Sequence, residues 1–520
     1  MRRPAILGAL ATIVGVTLLL RLVYGEPFLN YDASYSLLWA HDIAHGRTPD
    51  YQGFIAPTPH PLQTFVSLLA LPLGDATTTV LAWIVMVCFG GIVYVTYRLG
   101  RELFSVPVGA LAAIVVLTRP AFGRNAEFAY QDIPFALFVA WALLLEVRSP
   151  RRGAPVLVLL TLAGLLRPEA WVLAAAYWLW LVWGRGTDAD RRAVRESLPG
   201  LRRPGAASLR AVLGGGARVV RGIPRADRPQ LLGLAVLGAS GGILWAISDA
   251  AITGDFLHSF HGTSDLAEQL GRPRSPAEAP FRTAKFLGFT LREPLIVGVP
   301  VGCVFVALLA RRGLILIGVA AAMVAFFLLS TIGGLPLIAR YVLTPSLFLA
   351  IVYASGCLGW MQLPAGSRER RIWQRVGLAT LALSVLFLPK HVDLVDEVRT
   401  KVTNSREIQT DLKDIADSSV VRQHLDRCGH RLTTYDHPEV PPLRYYLGTA
   451  PGSVRDRHEK EYPVAQLLLM PVDESVERRY YQGVPPLVVP RGYREVFRST
   501  YWRLMASPDC PATRVVFEER

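Results

Sequence analysis

The sequence predicts a polytopic α-helical membrane protein that ends in a compact α/β domain outside the bilayer. Three observations predict this class. Hydrophobic residues make up 52% of the 520-residue chain and charged residues only 18%, with a mean hydropathy of +0.33; soluble domains carry about 25% charged residues. Apolar runs long enough to span a bilayer recur down to about residue 389. Beyond that point the chain changes to short alternating stretches separated by turn residues.

The first run, Pro4 to Tyr24, follows Arg2 and Arg3 and lacks an A-x-A-like cleavage site, so it reads as an anchor with a cytoplasmic N-terminus. About eleven spans follow from the pattern, at roughly 4–23, 77–97, 105–120, 130–147, 154–166, 169–184, 231–251, 294–310, 313–332, 342–360 and 375–389. Alternating from a cytoplasmic start, the inner loops are "YRLGRELF", "RSPRRG", 185–229, "RRG" and "SRERRIWQR". All are arginine-rich, and 185–229 holds eleven arginines against four carboxylates, the bias of loops that stay in the cytoplasm. The net charge of +14 is therefore read as membrane topology and not as a nucleic-acid surface. The outer loops are then 24–76, 119–131, the turn near Arg167, 252–293 and 333–341. This makes 1–389 a membrane domain in the plasma membrane and 390–520 an extracytoplasmic domain.

In that outer domain "DLKDIADSSVVRQHLDRCG" patterns as an amphipathic helix. "HRLTTYD", "AQLLLMPVD" and "REVFRSTYWRLMAS" pattern as strands, and "PPLRYYLG" as a short helix. Of five cysteines, Cys88, Cys303 and Cys357 lie in spans and read as packing residues. Cys428 and Cys510 share an outer compartment that permits a disulfide, and they are the one pair available for it there.

The unusual polar residues gather on the outer side. Asp32 follows the first span; Arg119, Arg124, Glu127 and Asp132 cluster in "RPAFGRNAEFAYQDIPF"; Arg167 and Glu169 interrupt "LLRPEAW"; Arg340 and Tyr341 stand in "GLPLIARYVLTP". A charge at mid-membrane costs at least about 2.5–3.5 kcal/mol, so such residues face a wet or protein-lined cavity. A carboxylate can take a proton from a hydroxyl nucleophile, and arginines hold phosphate through bidentate charged hydrogen bonds. Together they suit attack of a hydroxyl on a glycosyl phosphate whose leaving group is a lipid phosphate. Plainer roles exist for each: Asp32 and Asp132 as helix caps, Arg167 as a snorkelling side chain, Arg340 as an interfacial anchor. His41, His45 and His60 read as exposed loop histidines, and Glu127 and Glu169 as solvated.

"DASYSLLWAHDIAHGRTPDYQGFIAPTPHPL" resembles the first outer loop of GT-C glycosyltransferases that use polyprenyl-phosphate sugars, a group including protein O-mannosyltransferases and aminoarabinose transferases of lipid A. Asp32, Tyr35, Ala40, Gly46 and the "HPL" of His60–Leu62 carry the likeness. Asp132 in "QDIPF" matches the second acidic site, "LLRPEAW" the arginine turn and "IARYVLTP" the arginine–tyrosine segment; "TGDFLHSFHGTSDLAEQLGR" looks like an outer loop of actinobacterial members. The resemblance implies a GT-C fold and an inverting transfer from a polyprenyl-phosphate sugar donor to a glycan, lipid or protein acceptor. It implies Asp32 as general base and Asp132 as its assistant. Arg167 and Arg340 would contact the lipid phosphate, and Tyr341, His60, Glu127 and Arg124 would join in binding substrate. The chain departs from its relatives at Ala33, where many carry Glu, and at Pro59, where some carry Lys and His60 would have to substitute. No metal ligand set is assigned, because the acidic sites are few and scattered, although divalent-metal dependence varies across the group. Two rival readings are a lipid-linked sugar flippase and an inactive envelope-assembly scaffold. The expected outer-loop helix behind Asp32 would lie along the membrane surface.

Overall fold

The computed structural model describes residues 3–185, 223–459, 466–481, 487 and 489–510; most of the basic stretch 185–229 lies outside them. Each of the eleven predicted runs is helical, and the chain is a multi-pass membrane protein. Among the described residues, five helical stretches are long and apolar enough to cross a membrane unaided, and eight if each bent pair forms one span. The other three runs are the helices Asp132–Arg148, Ala154–Gly164 and Glu169–Arg185. They pack on one another in sequence, and the last two also pack on Arg228–Thr253.

Helix Leu343–Leu358 is buried along nearly its whole length and forms the centre of the bundle. Its partner Glu293–Leu309 approaches so closely that a Cβ on Gly302 would lie 2.0 Å from the Val352 carbonyl oxygen. Small residues are what allow backbones to meet this way inside a membrane.

The segment behind Asp32 does form a helix, Tyr31–Ala44. Asn30 caps it, its side chain accepting from the Ala33 amide at 2.9 Å, which satisfies one of the free first-turn donors. The helix does not lie along an open surface. Residues 32–40 are all buried, because helix Pro61–Ala70 packs on it from one direction and helix Val440–Leu447 from another. The C-terminal unit supplies that second cover.

This unit holds a five-stranded sheet: β1 Leu432–Thr434, β2 Val454–Asp456, β3 Leu467–Pro471, β4 Arg494–Arg498 and β5 Trp502–Ala506. Their order is β2-β1-β3-β5-β4, with β1 parallel to both its neighbours and the remaining pairs antiparallel. The predicted strand over "REVFRSTYWRLMAS" is a hairpin of two strands, and β2 was not foreseen. Leu467, Leu468, Leu469, Trp502 and Leu504 form the core with Leu412, Ile415 and Leu443. Cys428 and Cys510 are joined by a disulfide with Cα atoms 5.2 Å apart, a normal span for the bond. Helix Leu388–Asp417 belongs to both parts: Val402 packs in the bundle core and Ile408, Leu412 and Ile415 in the sheet core.

The two parts are locked together by buried polar contacts. Arg444 donates to Asp42, the two side chains being 3% and 0% exposed. Arg47 reaches the Thr449 carbonyl at 3.1 Å, and Gln409 the Leu29 carbonyl at 2.9 Å. Removing one partner of a buried pair leaves an uncompensated charge and costs about 3–5 kcal/mol. Asp42→Ala is therefore expected to lower the melting temperature of the detergent-solubilised protein and to expose 430–450 to limited proteolysis. An unchanged melt and cleavage pattern would contradict the lock.

Candidate active site

Four separate segments bring charge to one place. Asp32 lies in the first turn of helix Tyr31–Ala44, and Asp132 opens helix Asp132–Arg148. Arg167 stands in the turn before helix Glu169–Arg185, and Arg340 in the short 3-10 turn Ala339–Val342. Asp32 meets Arg340 at 2.7 Å, and Arg340 Nε lies 3.7 Å from Asp132 Oδ2. Arg167 donates to Asp132 and also to Glu169, at 3.1 Å through Nε and 2.5 Å through Nη2. The result is an alternating chain, Asp32–Arg340–Asp132–Arg167–Glu169. Aromatic rings hold the guanidinium groups from their faces: Tyr341 lies 4.0 Å from Arg167 and Tyr130 4.7 Å from Arg340, measured to the ring centres.

Glu169 is 6% exposed and is part of this chain, so the expectation that it is solvated is corrected. A charge inside "LLRPEAW" can stay only if paired, and Arg167 two residues earlier is the partner. His60 is likewise buried, at 7% exposure, and not an exposed loop histidine. Its Nε2 accepts from Gln131 Nε2 at 2.8 Å. Burial, with Arg340 and Arg167 acting against the pull of Asp32 and Asp132, brings its pKa down to about 4. His60 is therefore neutral at neutral pH and offers an N–H, not a positive charge. Burial pushes the Asp32 carboxyl up, but Arg340, His60 and Arg272 outweigh it and hold the pKa below its ordinary value. Asp32 is an ionised carboxylate, and Asn30, not Asp32, is the cap.

Asp32, His60, Arg167, Glu169, Arg340 and Tyr341 line a cavity of about 790 Å³. Phe256, Leu257, Phe327, Leu329 and Leu335 also line it, and Phe256 and Leu329 are more than 60% exposed at its edge. Its lining thus combines a buried charged cluster with apolar side chains. Its wall also carries residues that the sequence reading passed over: Gln131, Arg272 and Asp249. Asp249 accepts from the Ser259 amide and hydroxyl, both at 2.9 Å. The signal for it was an acid inside the apolar run "WAISDAAITG".

Two candidates do not join the site. Glu127 and Arg124 are on helix Pro120–Glu127, and neither lines the cavity. A turn containing Ala129 at φ 47° separates that helix from the next, so nearness to Asp132 in sequence does not become nearness in space. Glu127 is fully buried and not solvated. Arg124 lies 5.4 Å from the Phe128 ring centre.

The family model for dolichyl-phosphate-mannose-protein mannosyltransferase matches residues 57–201, the part that contains His60, Asp132, Arg167 and Glu169. No curated protein matches the chain. Similar solved structures include ArnT from Cupriavidus metallidurans bound to undecaprenyl phosphate, 13% identical over 98% of this chain and 99% of that one, with a TM-score of 0.48. The archaeal oligosaccharyltransferase AglB from Archaeoglobus fulgidus, in complex with an inhibitory peptide and a dolichol-phosphate, is 13% identical over 91% of this chain and 70% of that one, with a TM-score of 0.47. The family match falls within the membrane region from which the resemblance was read.

The buried histidine sets a pH dependence. Its pKa is about 4 folded against 6.5 free, so between these values the unfolded chain binds more protons than the folded one. Its stabilising contribution is full above about pH 6.5 and is lost as pH falls through about 4, about 3 kcal/mol in all. Melting temperature should therefore drop more between pH 7 and 5 in the parent protein than in His60→Gln. Equal drops would show that His60 is not buried neutral.

Proposed function

We propose that this protein transfers a sugar from a polyprenyl-phosphate donor to a hydroxyl of a cell-envelope glycan, lipid or protein, on the extracytoplasmic face. The observation that carries the reading is one cavity lined by both the charged cluster and apolar side chains. Its apolar lining suits an isoprenoid tail entering from the bilayer, and its charged cluster suits a phosphate and a reacting hydroxyl. The family match over 57–201 supports the same class, and the buried Cys428–Cys510 disulfide suits an oxidising compartment. The membrane domain 1–389 would hold the chemistry, with the N-terminus in the cytoplasm and the sheet unit outside.

In this reading the acceptor oxygen attacks the sugar's anomeric carbon from the side opposite the phosphate, giving inversion. The bond from that carbon to the phosphate oxygen breaks, its electron pair leaves with the lipid phosphate, and the hydroxyl proton passes to Asp32. Arg340 is the better phosphate partner of the two arginines. Its side chain is 20% exposed, whereas Arg167 is 6% exposed and already bonded to Asp132 and Glu169. A phosphate that draws on Arg340 also weakens that residue's hold on Asp32, which makes the carboxylate a stronger base where the proton arrives. Asp132 and Tyr341 then position arginines and need not touch the proton.

Asp32→Asn tests the proposal. Transfer of radiolabelled sugar from polyprenyl phosphate should fall about 10²–10⁴-fold in a variant that still folds, with a melting temperature lowered by loss of the ion pair to Arg340. Retained transfer would remove Asp32 from the chemistry, and translocation of lipid-linked sugar without transfer in the parent would favour a transporter.

A further inference from the structure

The C-terminal unit carries a second cluster of ligating groups that the transfer chemistry does not use. Strands β1 and β2 are parallel neighbours paired at Thr434 and Asp456, so the residues following each strand meet at one edge. Asp436, Asp456 and His458 each place a ligand atom within 4.8 Å of the others. Asp456 is 5% exposed. Its Oδ1 accepts from the His458 amide at 2.6 Å and the His458 ring at 2.7 Å. Its Oδ2 is buried and accepts no hydrogen bond among the described residues; His437 Nδ1 stands 4.0 Å away and is engaged with Asp436 at 3.0 Å. A buried carboxylate oxygen left without a donor is destabilising, and a second carboxylate beside it adds repulsion.

We propose that Asp436, Asp456 and His458 form a binding site for a divalent transition-metal cation such as Zn²⁺. Two carboxylates and an imidazole suit such an ion better than Mg²⁺, which takes oxygen ligands and keeps its waters. An ion held at about 2.0–2.2 Å sets its ligands about 3–3.5 Å apart, which the cluster reaches by closing about an ångström. His458 is 41% exposed and gives the ion a way in. The turn between Asp436 and Glu439 also carries His437, whose ring stands edge-on to Tyr31 at 5.2 Å and lines the large cavity. The cation therefore ties two strand ends together and holds the cavity rim in place. Ion binding itself does not depend on the transferase reading.

Calorimetric titration of Zn²⁺ into the EDTA-stripped, detergent-solubilised full-length protein tests the site. Asp456→Asn and His458→Ala should each remove about one Zn²⁺ equivalent, or weaken it more than about tenfold, with apo melting temperatures unchanged. Because His458 is partly exposed, its variant carries the test if Asp456→Asn fails to fold. Zn²⁺ should also slow hydrogen exchange over 435–439 in the parent and not in the variants. Equal Zn²⁺ binding by parent and variants, or no slowing on binding, would overturn the proposal.

Discussion

The structure depends on keeping five opposed charges out of water. Three carboxylates and two guanidinium groups alternate from Asp32 to Glu169, all but Arg340 and Asp32 with side chains less than 10% exposed. Each ion forfeits several kcal/mol of hydration on burial, and only mutual pairing with good geometry returns it. No member can be moved alone. The four segments that supply the chain are thereby held in register, although residues 32 and 340 are hundreds of positions apart. The chain bears one more negative than positive charge, so a bound phosphate must draw on donors that the carboxylates do not saturate. Arg340, open to the cavity, is where such donors remain.

The surrounding architecture serves that cluster. The bundle places it beside a space with apolar walls, and low surrounding polarity strengthens every interaction inside. Helix Tyr31–Ala44 would otherwise be a buried-type helix covered on one side only, by Pro61–Ala70. The sheet unit closes over it through Asp42–Arg444 and the contacts of Arg47 and Gln409. The C-terminal unit is thus part of the wall that fixes Asp32 and, through His437, part of the rim.

Much of this was legible in the sequence, for a physical reason. Charges at the ends of apolar runs are costly, so Asp32, Asp132, Arg167 and Arg340 stood out, and burial next to one another is how the fold meets the cost. The same rule misled at Glu127 and Arg124, because a single turn after the helix sends them elsewhere and a turn of that kind has weak sequence signals. The rule also had a blind spot at Glu169, which was read as solvated although its partner stands two residues away. The full burial of helix Tyr31–Ala44 could not be read, since part of its cover comes from residues about 400 positions later. Strand β2 is three residues long, too short for an alternating pattern to show, so the ligand cluster at its end was equally hidden.

The most direct test of the account is an experimentally determined structure of the protein with polyprenyl phosphate bound. The phosphate should lie within hydrogen-bonding reach of Arg340, with Asp32 beside it and the first isoprene units along Phe327 and Leu329. A phosphate seated away from Arg340, or Asp32 and Asp132 facing separate compartments with no cavity between them, would contradict it.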